Sequence, residues 1–215
     1  MIYAEPGDFA FRGVGQSVAL WSDLESMPER PVIDPDAEHP TLLFGEGEPE
    51  VGLGSQIIDD ELYSFACGGD GFDRPCILAR VSLDNILDRA SWEFWDGGGW
   101  SSEASLAKAL FDGAPILSVT FNDHLERWTA VYSDPVSNDV VMRTAQELTG
   151  PWSEELLLFT ADRRSADGWT YDANVHSEYA EDGGRVQYIT FSRPTGEGWF
   201  GAELAVVRVE LERAD

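Results

Sequence analysis

Three acidic residues precede or begin predicted β-strands, where carboxyl groups could act together on a substrate. They are Glu48 in the run GEPEVG, Asp112 in FDGAP and Asp172 in YDANVH. Hydrolysis of a glycosidic bond uses two carboxyl groups: one of raised pKa protonates the leaving group, and the other is ionised and acts as base or nucleophile. We therefore treat these three residues as candidate catalytic acids.

Each candidate also has a structural explanation. Glu48 lies between Glu46 and Glu50, and crowding of carboxyl groups favours a general acid. The same loop, in a chain with 40 acidic residues, could equally be a solvated surface segment. Asp112 stands next to Gly113, a pair that is typical of turns. The sequence leaves both alternatives open.

The strands that would position these residues are clearest between residues 116 and 160. Runs at 116–121, 127–133, 140–145 and 155–160 have β-strand character and are separated by Asn, Asp, Gly and Pro. Short alternating runs divided by such residues predict antiparallel hairpins. Four of them in succession form one meander.

The meander recurs along the chain. Ser133 in YSDP and Ser192 in FSRP are about sixty residues apart, and both stand at the end of a predicted strand. A four-stranded unit with that period predicts the blades of a β-propeller. We divide a single domain, 1–215, into a partial unit at 9–44 and units at 51–100, 113–160 and 171–212.

Composition agrees with a globular, sheet-rich protein. The chain is 43% hydrophobic, with 8 Trp and 21 Gly, which suits a core built from strands and tight turns. There is no run of about 18 apolar residues, so we expect no membrane span. The N-terminus lacks the basic segment and apolar core of a signal peptide.

The net charge limits the partners. The chain has 40 Asp and Glu against 14 Lys and Arg, a formal charge of −26. Such a surface repels phosphate backbones, so we expect no nucleic-acid partner. The three histidines are widely spaced and no EF-hand loop is present, so we expect no metal site. We expect a monomer.

Two cysteines, Cys67 and Cys76, flank the turn-like run GGDGFDRP. They could face each other across a hairpin and form a disulfide, which would imply an oxidising compartment. They could also be two small buried residues of an intracellular protein. The hairpin position favours the disulfide without deciding the matter.

Several longer motifs together resemble the domain-of-unknown-function 4185 family. The runs are GEPEVGLGSQIIDDELYSFAC, PCILARVSLDNILDRASWEFWDGGGW, DGAPILSVTFNDHLERWTAVYSDP, TGPWSE and HSEYAEDGGRVQYITFSRPTG. The resemblance covers about residues 45–211. That family is similar to the five-bladed propellers of glycoside hydrolase family 43. The resemblance implies an all-β, five-bladed-like β-propeller. Its N-terminal blade, where relatives carry an axial aspartate, is lacking or degenerate in this chain.

The resemblance also implies a function. Some relatives degrade arabinan, and many are secreted or lipid-anchored. We therefore expect a carbohydrate-active propeller, a glycoside hydrolase that uses carboxylate acid/base chemistry on a polysaccharide. In its full-length form we expect it outside the cell or in the cell envelope. The alternative is a non-catalytic carbohydrate-binding or surface-interaction propeller that kept the blades and lost the acids.

In a family-like propeller, the first strand of each blade points into an axial funnel. On this basis His176, placed at the start of such a strand, could bind a sugar hydroxyl or an axial ion, although a structural role is as compatible with the sequence. No other cofactor is implied. Residues that would line the funnel or its rim and contact substrate are Gln56, Asn174, His176, Glu178, Arg193 and Trp199.

Overall fold

The structure is a computed structural model that describes residues 2–4, 11–69, 73–162, 165, 168–196 and 201–213. Its secondary structure consists of β-strands and 3₁₀ turns. No helix among these residues is long and apolar enough to cross a membrane. The strands are β1 Ile2–Ala4, β2 Phe11–Gly13, β3 Gly15–Gln16, β4 Phe44–Gly45, β5 Leu53–Ile58, β6 Glu61–Cys67, β7 Pro75–Ser82, β8 Glu93–Trp95, β9 Trp100–Ser101, β10 Phe111–Asp112, β11 Ser118–Asn122, β12 Arg127–Ser133, β13 Asp139–Ala145, β14 Leu156–Thr160, β15 Tyr171–Val175, β16 Val186–Pro194 and β17 Ala202–Glu210.

The strands form antiparallel sheets in which chain neighbours are paired. The first sheet has the order β5-β6-β7-β8-β9, with β10 added beside β7; the central sheet is β11-β12-β13-β14; and the last sheet is β15-β16-β17. Two small sheets, β1-β2 and β3-β4, lie nearer the N-terminus. Because β10 pairs with β7, the first sheet extends beyond residue 100, the predicted end of the unit 51–100.

Local turn chemistry explains how the meanders form. Asp59 and Asp60 alone join β5 to β6, and both have positive φ, 49° and 65°. Two central residues with positive φ define the type I′ hairpin turn, whose twist matches that of the flanking strands. Aspartate tolerates this left-handed region better than most residues do, because its short side chain bonds locally.

The first strands of the three large sheets are tied to one another through side chains. Gln56 of β5 donates from Nε2 to the Val119 carbonyl of β11, at 2.7 Å. The Val175 amide of β15 donates to Ser118 Oγ at 2.9 Å, and the Ala173 amide donates to Ser133 Oγ at 3.2 Å. Successive meanders joined through their first strands have the architecture of propeller blades. The prediction of an all-β propeller with a degenerate N-terminal unit is confirmed.

The hydrophobic core lies between the sheets. Phe65 and Leu78 of the first sheet pack with Val119 and Tyr132 of the central sheet. On the other face of the central sheet, Val131, Val140 and Met142 pack against Ile189 and Phe191 of the last sheet. Full burial of one such side chain contributes roughly 1.5–3 kcal/mol. These layers fix the relative positions of the strand ends.

A third cluster closes the open side of the first sheet. Leu43, Phe44 and Val51, from the segment before β5, pack against Trp92 and Phe94. The N-terminal segment therefore covers the first sheet with loops and very short strands instead of a full meander.

Cys67 and Cys76 form a disulfide. They are directly opposite each other in the register of β6 and β7, with Cα atoms 4.0 Å apart. The bridge closes the hairpin connection between these two strands, so of the two alternatives left by the sequence the structure shows the disulfide.

Most strand positions follow the sequence pattern, with two informative differences. The strand at 127–133 occurs where expected. The run 116–121 begins later, at Ser118, because the segment before it lines a cavity. His176 was placed at the start of a strand, and this was wrong. Strand β15 is Tyr171–Val175 and His176 follows its end, because β15 buries Ala173 and Val175 against the neighbouring sheet.

Candidate functional site

A cavity of about 350 Å³ lies between the central and last sheets. Its walls come from the segment before β11, the end of β12, the segment leading into β15 and the end of β16. These strand ends lie together because β11 and β12 are antiparallel neighbours, as are β15 and β16. We call this the aromatic cavity; its lining includes Pro115, Ser133, Val136, Trp169, Tyr171 and Asp172.

Two aromatic side chains define one wall of the aromatic cavity. Trp169 is 47% exposed and Tyr171 is 42% exposed, whereas Thr170 between them is buried. The Thr170 amide donates to Asn138 Oδ1 at 3.2 Å, which anchors the segment to the turn after β12. With the middle residue anchored inward, the two rings flanking it remain available to a ligand.

Asp172 follows directly and has an unusual backbone conformation. Its φ is +59°, in the left-handed region that few residues other than glycine adopt and that aspartate tolerates better than most. The register of β15 against β16 shifts between Tyr171 and Asn174, on either side of it. Such bulges re-aim a side chain and occur often next to functional sites.

The Asp172 carboxyl group has no partner among the residues that the structure describes. It makes no hydrogen bond or ion pair with the described residues, and partial burial raises its pKa. A carboxyl group of raised pKa without a partner is available to bind a ligand or transfer a proton.

The opposite wall of the aromatic cavity also holds a strained backbone. Val136 has a φ of +61°, which for a β-branched residue is a clear outlier. Strained residues of this kind concentrate at binding and catalytic sites. Asp134, two residues earlier, has a raised pKa because it is partly buried, and the nearby carboxylates of Glu155 and Asp139 add to the effect.

A second cavity, of about 480 Å³, adjoins the first at Pro115, which lines both. It lies at the first sheet, between the start of β5 and the connection from β6 to β7. We call it the polar cavity; its lining includes Gln16, Glu50, Gly52, Gly68, Gly69 and Arg74. We call these two neighbouring cavities, which share Pro115, the groove.

The sequence pattern of the family described as Domain of unknown function (DUF4185) matches residues 32–195. That is three quarters of the chain, and it includes most of the lining of both cavities. The chain belongs to the DUF4185 family. No curated protein matches its sequence.

Solved structures give distant similarities. An endo-1,4-beta-xylanase from Bacteroides thetaiotaomicron is 15% identical, with a TM-score of 0.44 over 74% of this chain and 49% of its own. An alpha-L-arabinofuranosidase from Podospora anserina, crystallised with cellotriose, is 13% identical, with a TM-score of 0.47 over 83% of this chain and 50% of its own. A thermostable family-43 glycoside hydrolase is 16% identical, with a TM-score of 0.47 over 76% of this chain and 50% of its own. The DUF4185 chain spans half the length of these proteins or less.

The three predicted catalytic acids of the DUF4185 chain do not line one cavity. Glu48 is ion-paired with Arg89, with a 2.6 Å contact between its Oε1 and Nη2, and its other oxygen accepts the Gly45 amide at 2.6 Å. Asp112 lies in β10, opposite Pro75, and is exposed. Its carbonyl, not its carboxyl group, accepts the Tyr132 hydroxyl at 3.0 Å. Asp172 alone among them lines the aromatic cavity.

Two predicted substrate-binding residues have structural contacts in the DUF4185 chain. The Gln56 amide bonds to the carbonyls of Ser55 and Val119, both at 2.7 Å. It therefore connects two sheets. Asn174 contacts the Val175 carbonyl at 3.4 Å. Their assignment as sugar ligands stays a prediction.

His176 lines a different cavity from Asp172, and Glu178 is in contact with His176. His176 Nδ1 is 3.0 Å from Glu178 Oε1, and its Nε2 is 2.9 Å from Thr190 Oγ1. A hydrogen bond from the Glu178 backbone amide, and after it the hydrogen bond with His176, lower the pKa of the Glu178 carboxyl group. An axial ion at His176 would have to displace one of these partners. Among the described residues no group of three or more His, Cys, Asp or Glu could hold a metal.

Arg193 is engaged with its neighbouring strand. Its Nε donates to Glu203 Oε1 at 2.6 Å across the β16–β17 pair, and Nη1 donates to the Asp162 carbonyl at 3.2 Å. Trp199, the predicted rim aromatic, lies outside the described residues.

The sequence reasoning missed the aromatic wall of the cavity. Trp169 and Tyr171 are not among the candidate residues predicted from the sequence. The available signal was the run WTYD, in which two aromatic residues alternate immediately before a candidate acid. It also missed Arg74, whose role depends on a hairpin fold that brings it to the start of β5.

Proposed function

We propose that this DUF4185 chain binds carbohydrate in the aromatic cavity, with Trp169, Tyr171 and Asp172 as the principal ligand-binding residues. The observation that carries the proposal is the combination, in one 350 Å³ cavity, of two exposed aromatic rings and an unpartnered carboxyl group. Small-molecule sites are usually concave, largely apolar and equipped with few polar groups, and this cavity has those properties.

The chemistry of a sugar fits both kinds of side chain. One face of a pyranose or furanose ring carries C–H groups that pack against an aromatic ring. Its hydroxyl groups are hydrogen-bond donors, and an ionised carboxyl group accepts such bonds strongly. Trp169 and Tyr171 would orient the ring while Asp172 selects its hydroxyl pattern.

The disulfide supports an environment in which polysaccharides are found. Disulfides such as Cys67–Cys76 persist mainly in secreted and cell-envelope proteins. The surface charge of −26 disfavours nucleic acid but does not oppose an uncharged sugar chain. We accordingly place the protein outside the cytoplasm as part of this proposal.

Removal of the tryptophan ring tests the proposal. Wild type and Trp169→Ala are compared on an array of neutral oligosaccharides that includes arabino-oligosaccharides. Trp21→Ala is the matched control, since Trp21 is also exposed and does not line the cavity. We expect Trp169→Ala to weaken binding at least tenfold, from a stacking contribution of about 1.5 kcal/mol, and Trp21→Ala to bind as wild type does. Equal binding by all three proteins would refute the site.

Hydrolysis is the second candidate function, and the raised pKa of Asp172 favours it. A carboxyl group that stays protonated to higher pH suits a general acid. The second carboxyl group would have to come from outside the aromatic cavity, because Asp172 is the one acidic residue among its described lining residues. Glu50, which lines the adjoining polar cavity, is one candidate.

Release of reducing ends distinguishes the two functions. An enzyme should generate new reducing ends from a polysaccharide that it binds, and Asp172→Asn should stop this while Trp169→Ala mainly weakens binding. If the chain binds oligosaccharides and releases no reducing ends on prolonged incubation, it is a binding protein.

A further inference from the structure

The polar cavity contains an arginine that has no carboxylate partner among the residues that the structure describes. Arg74 is half-buried, and the one side-chain hydrogen bond that it makes to these residues goes to the Gly69 carbonyl at 3.3 Å. It forms no ion pair with the described residues. Seven other arginines of this acidic chain do hold a carboxylate: Arg80, Arg89, Arg143, Arg185, Arg193, Arg208 and Arg213.

The backbone at Arg74 is held firmly. The residue lies two positions before Cys76, inside the hairpin connection that the disulfide closes. Its carbonyl accepts the Gly113 amide at 2.9 Å, which ties it to the segment leading to Pro115. Gly68 and Gly69, which also line the cavity, leave the floor without side chains. A guanidinium group on such a fixed support is preorganised to bind a planar anion.

We propose, on the basis of the proposed carbohydrate function, that the polar cavity recognises an anionic substituent, a carboxylate or a sulfate, on the sugar chain that the aromatic cavity binds. Arg74 forms the ion pair. Gln16 and Glu50 lie beside it; the Gln16 amide already donates to the Val51 carbonyl, and its buried Oε1 has no partner among the described residues. Glu50 accepts hydroxyl groups of the same sugar unit.

The charge of the whole molecule defines the ligand class further. A protein with a formal net charge of −26 repels a polyanion at long range. The Arg74 guanidinium group, in contrast, can neutralise one anionic group that it contacts. The ligand is therefore a mostly neutral polysaccharide with isolated acidic substituents, not a chain charged at every unit.

The test is a glycan array of neutral oligosaccharides together with their singly uronate-substituted and singly sulfated counterparts, followed by calorimetry on the best matched pair. We expect the anionic member to bind about tenfold more tightly than its neutral counterpart, as for a charge-assisted hydrogen bond. Arg74→Gln should abolish this preference and leave neutral binding intact. Arg74→Lys should keep part of it, because the charge remains without the planar fork.

Arg127→Gln is the control, because Arg127 is an exposed arginine that starts β12, at the far end of that strand from the aromatic cavity. It should keep the wild-type preference. If wild type binds neutral and anionic members equally, or if Arg74→Gln keeps the preference, the inference is wrong and the proposed function stands. If no member of the array binds, the proposed function fails and this inference fails with it. A preference for only the uronate or only the sulfate arm identifies the substituent.

Discussion

Glu48 and Asp172 are equivalent candidates in the sequence but occupy opposite environments in the structure. Glu48 holds Arg89 and caps the Gly45 amide, and Arg89 in turn lies 4.9 Å from the ring centre of Phe44. Asp172 has no partner among the described residues, and it lines a cavity and has a positive φ. At the residue scale, Glu48 therefore stabilises the fold, and Asp172 costs stability and is available for function.

Substitution of each acid separates these roles. Asp172→Asn should leave the melting temperature at pH 7 unchanged or raise it, because asparagine tolerates positive φ and carries no charge to desolvate. Glu48→Gln should lower the free energy of unfolding by about 1 kcal/mol, because it breaks a partly shielded ion pair. Thermal unfolding of both variants beside wild type measures the difference.

The effect of Asp172→Asn should depend on pH. Burial raises the folded-state pKa of Asp172 above its unfolded-state value of about 3.9. The folded protein then binds this proton more tightly than the unfolded chain does, so this group destabilises wild type as pH rises through that range. Any gain in stability of the Asp172→Asn variant over wild type should disappear below pH about 4. A variant that is less stable than wild type at pH 7 and equal to it in acid would contradict this assignment.

At the scale of elements, the β6–β7 hairpin supports one side of the groove. The Cys67–Cys76 disulfide closes it, the Gly113 amide bonds to the Arg74 carbonyl, and Phe65 and Leu78 anchor it in the core. Its connection supplies much of the polar cavity.

Loss of this disulfide should cost stability. The bridged residues are nine positions apart, and closure of a loop of that length constrains the unfolded chain by about 2.5 kcal/mol. Cys67→Ser combined with Cys76→Ser should lower the free energy of unfolding in urea by about that amount. Reduction of wild type should have the same effect. If the double variant unfolds at the wild-type urea concentration, the bridge does not stabilise the hairpin.

Strands were predictable from the sequence because their information is local. The β-strand character of the run 127–133 predicted β12, and the Asn, Asp, Gly and Pro residues between the runs predicted the turns. The sequence could not locate His176 relative to its strand. That position depends on which residues of β15 pack on the neighbouring sheet, and this is a tertiary contact.

The site was predictable only in part, for the same reason. Asp172 was among the candidates, but nothing local distinguishes it from Glu48. The distinction depends on Arg89, which is 41 residues from Glu48. The aromatic cavity exists because segments from two different sheets meet, and sequence periodicity carries no information about that meeting. Trp169 and Tyr171 could be recognised as ligand-binding residues only after Thr170 was seen to be anchored inward.

At the scale of the whole molecule, three meanders bring their strand ends to one face and leave a groove there. The sheets are joined by Gln56, Ser118 and Ser133, whose side chains bond to backbone groups of adjacent first strands. These contacts make the groove a fixed feature of the fold and not a property of loose loops. A preformed groove reduces the conformational entropy that ligand binding must overcome.

A crystal structure of the chain with the neutral oligosaccharide that binds best tests the carbohydrate site most directly. We expect a sugar ring packed on Trp169 or Tyr171 at about 4 Å, with a hydroxyl group within about 3 Å of the Asp172 carboxyl group. A sugar bound elsewhere, for example beside His176, with the aromatic cavity free of ligand, would contradict the proposed function.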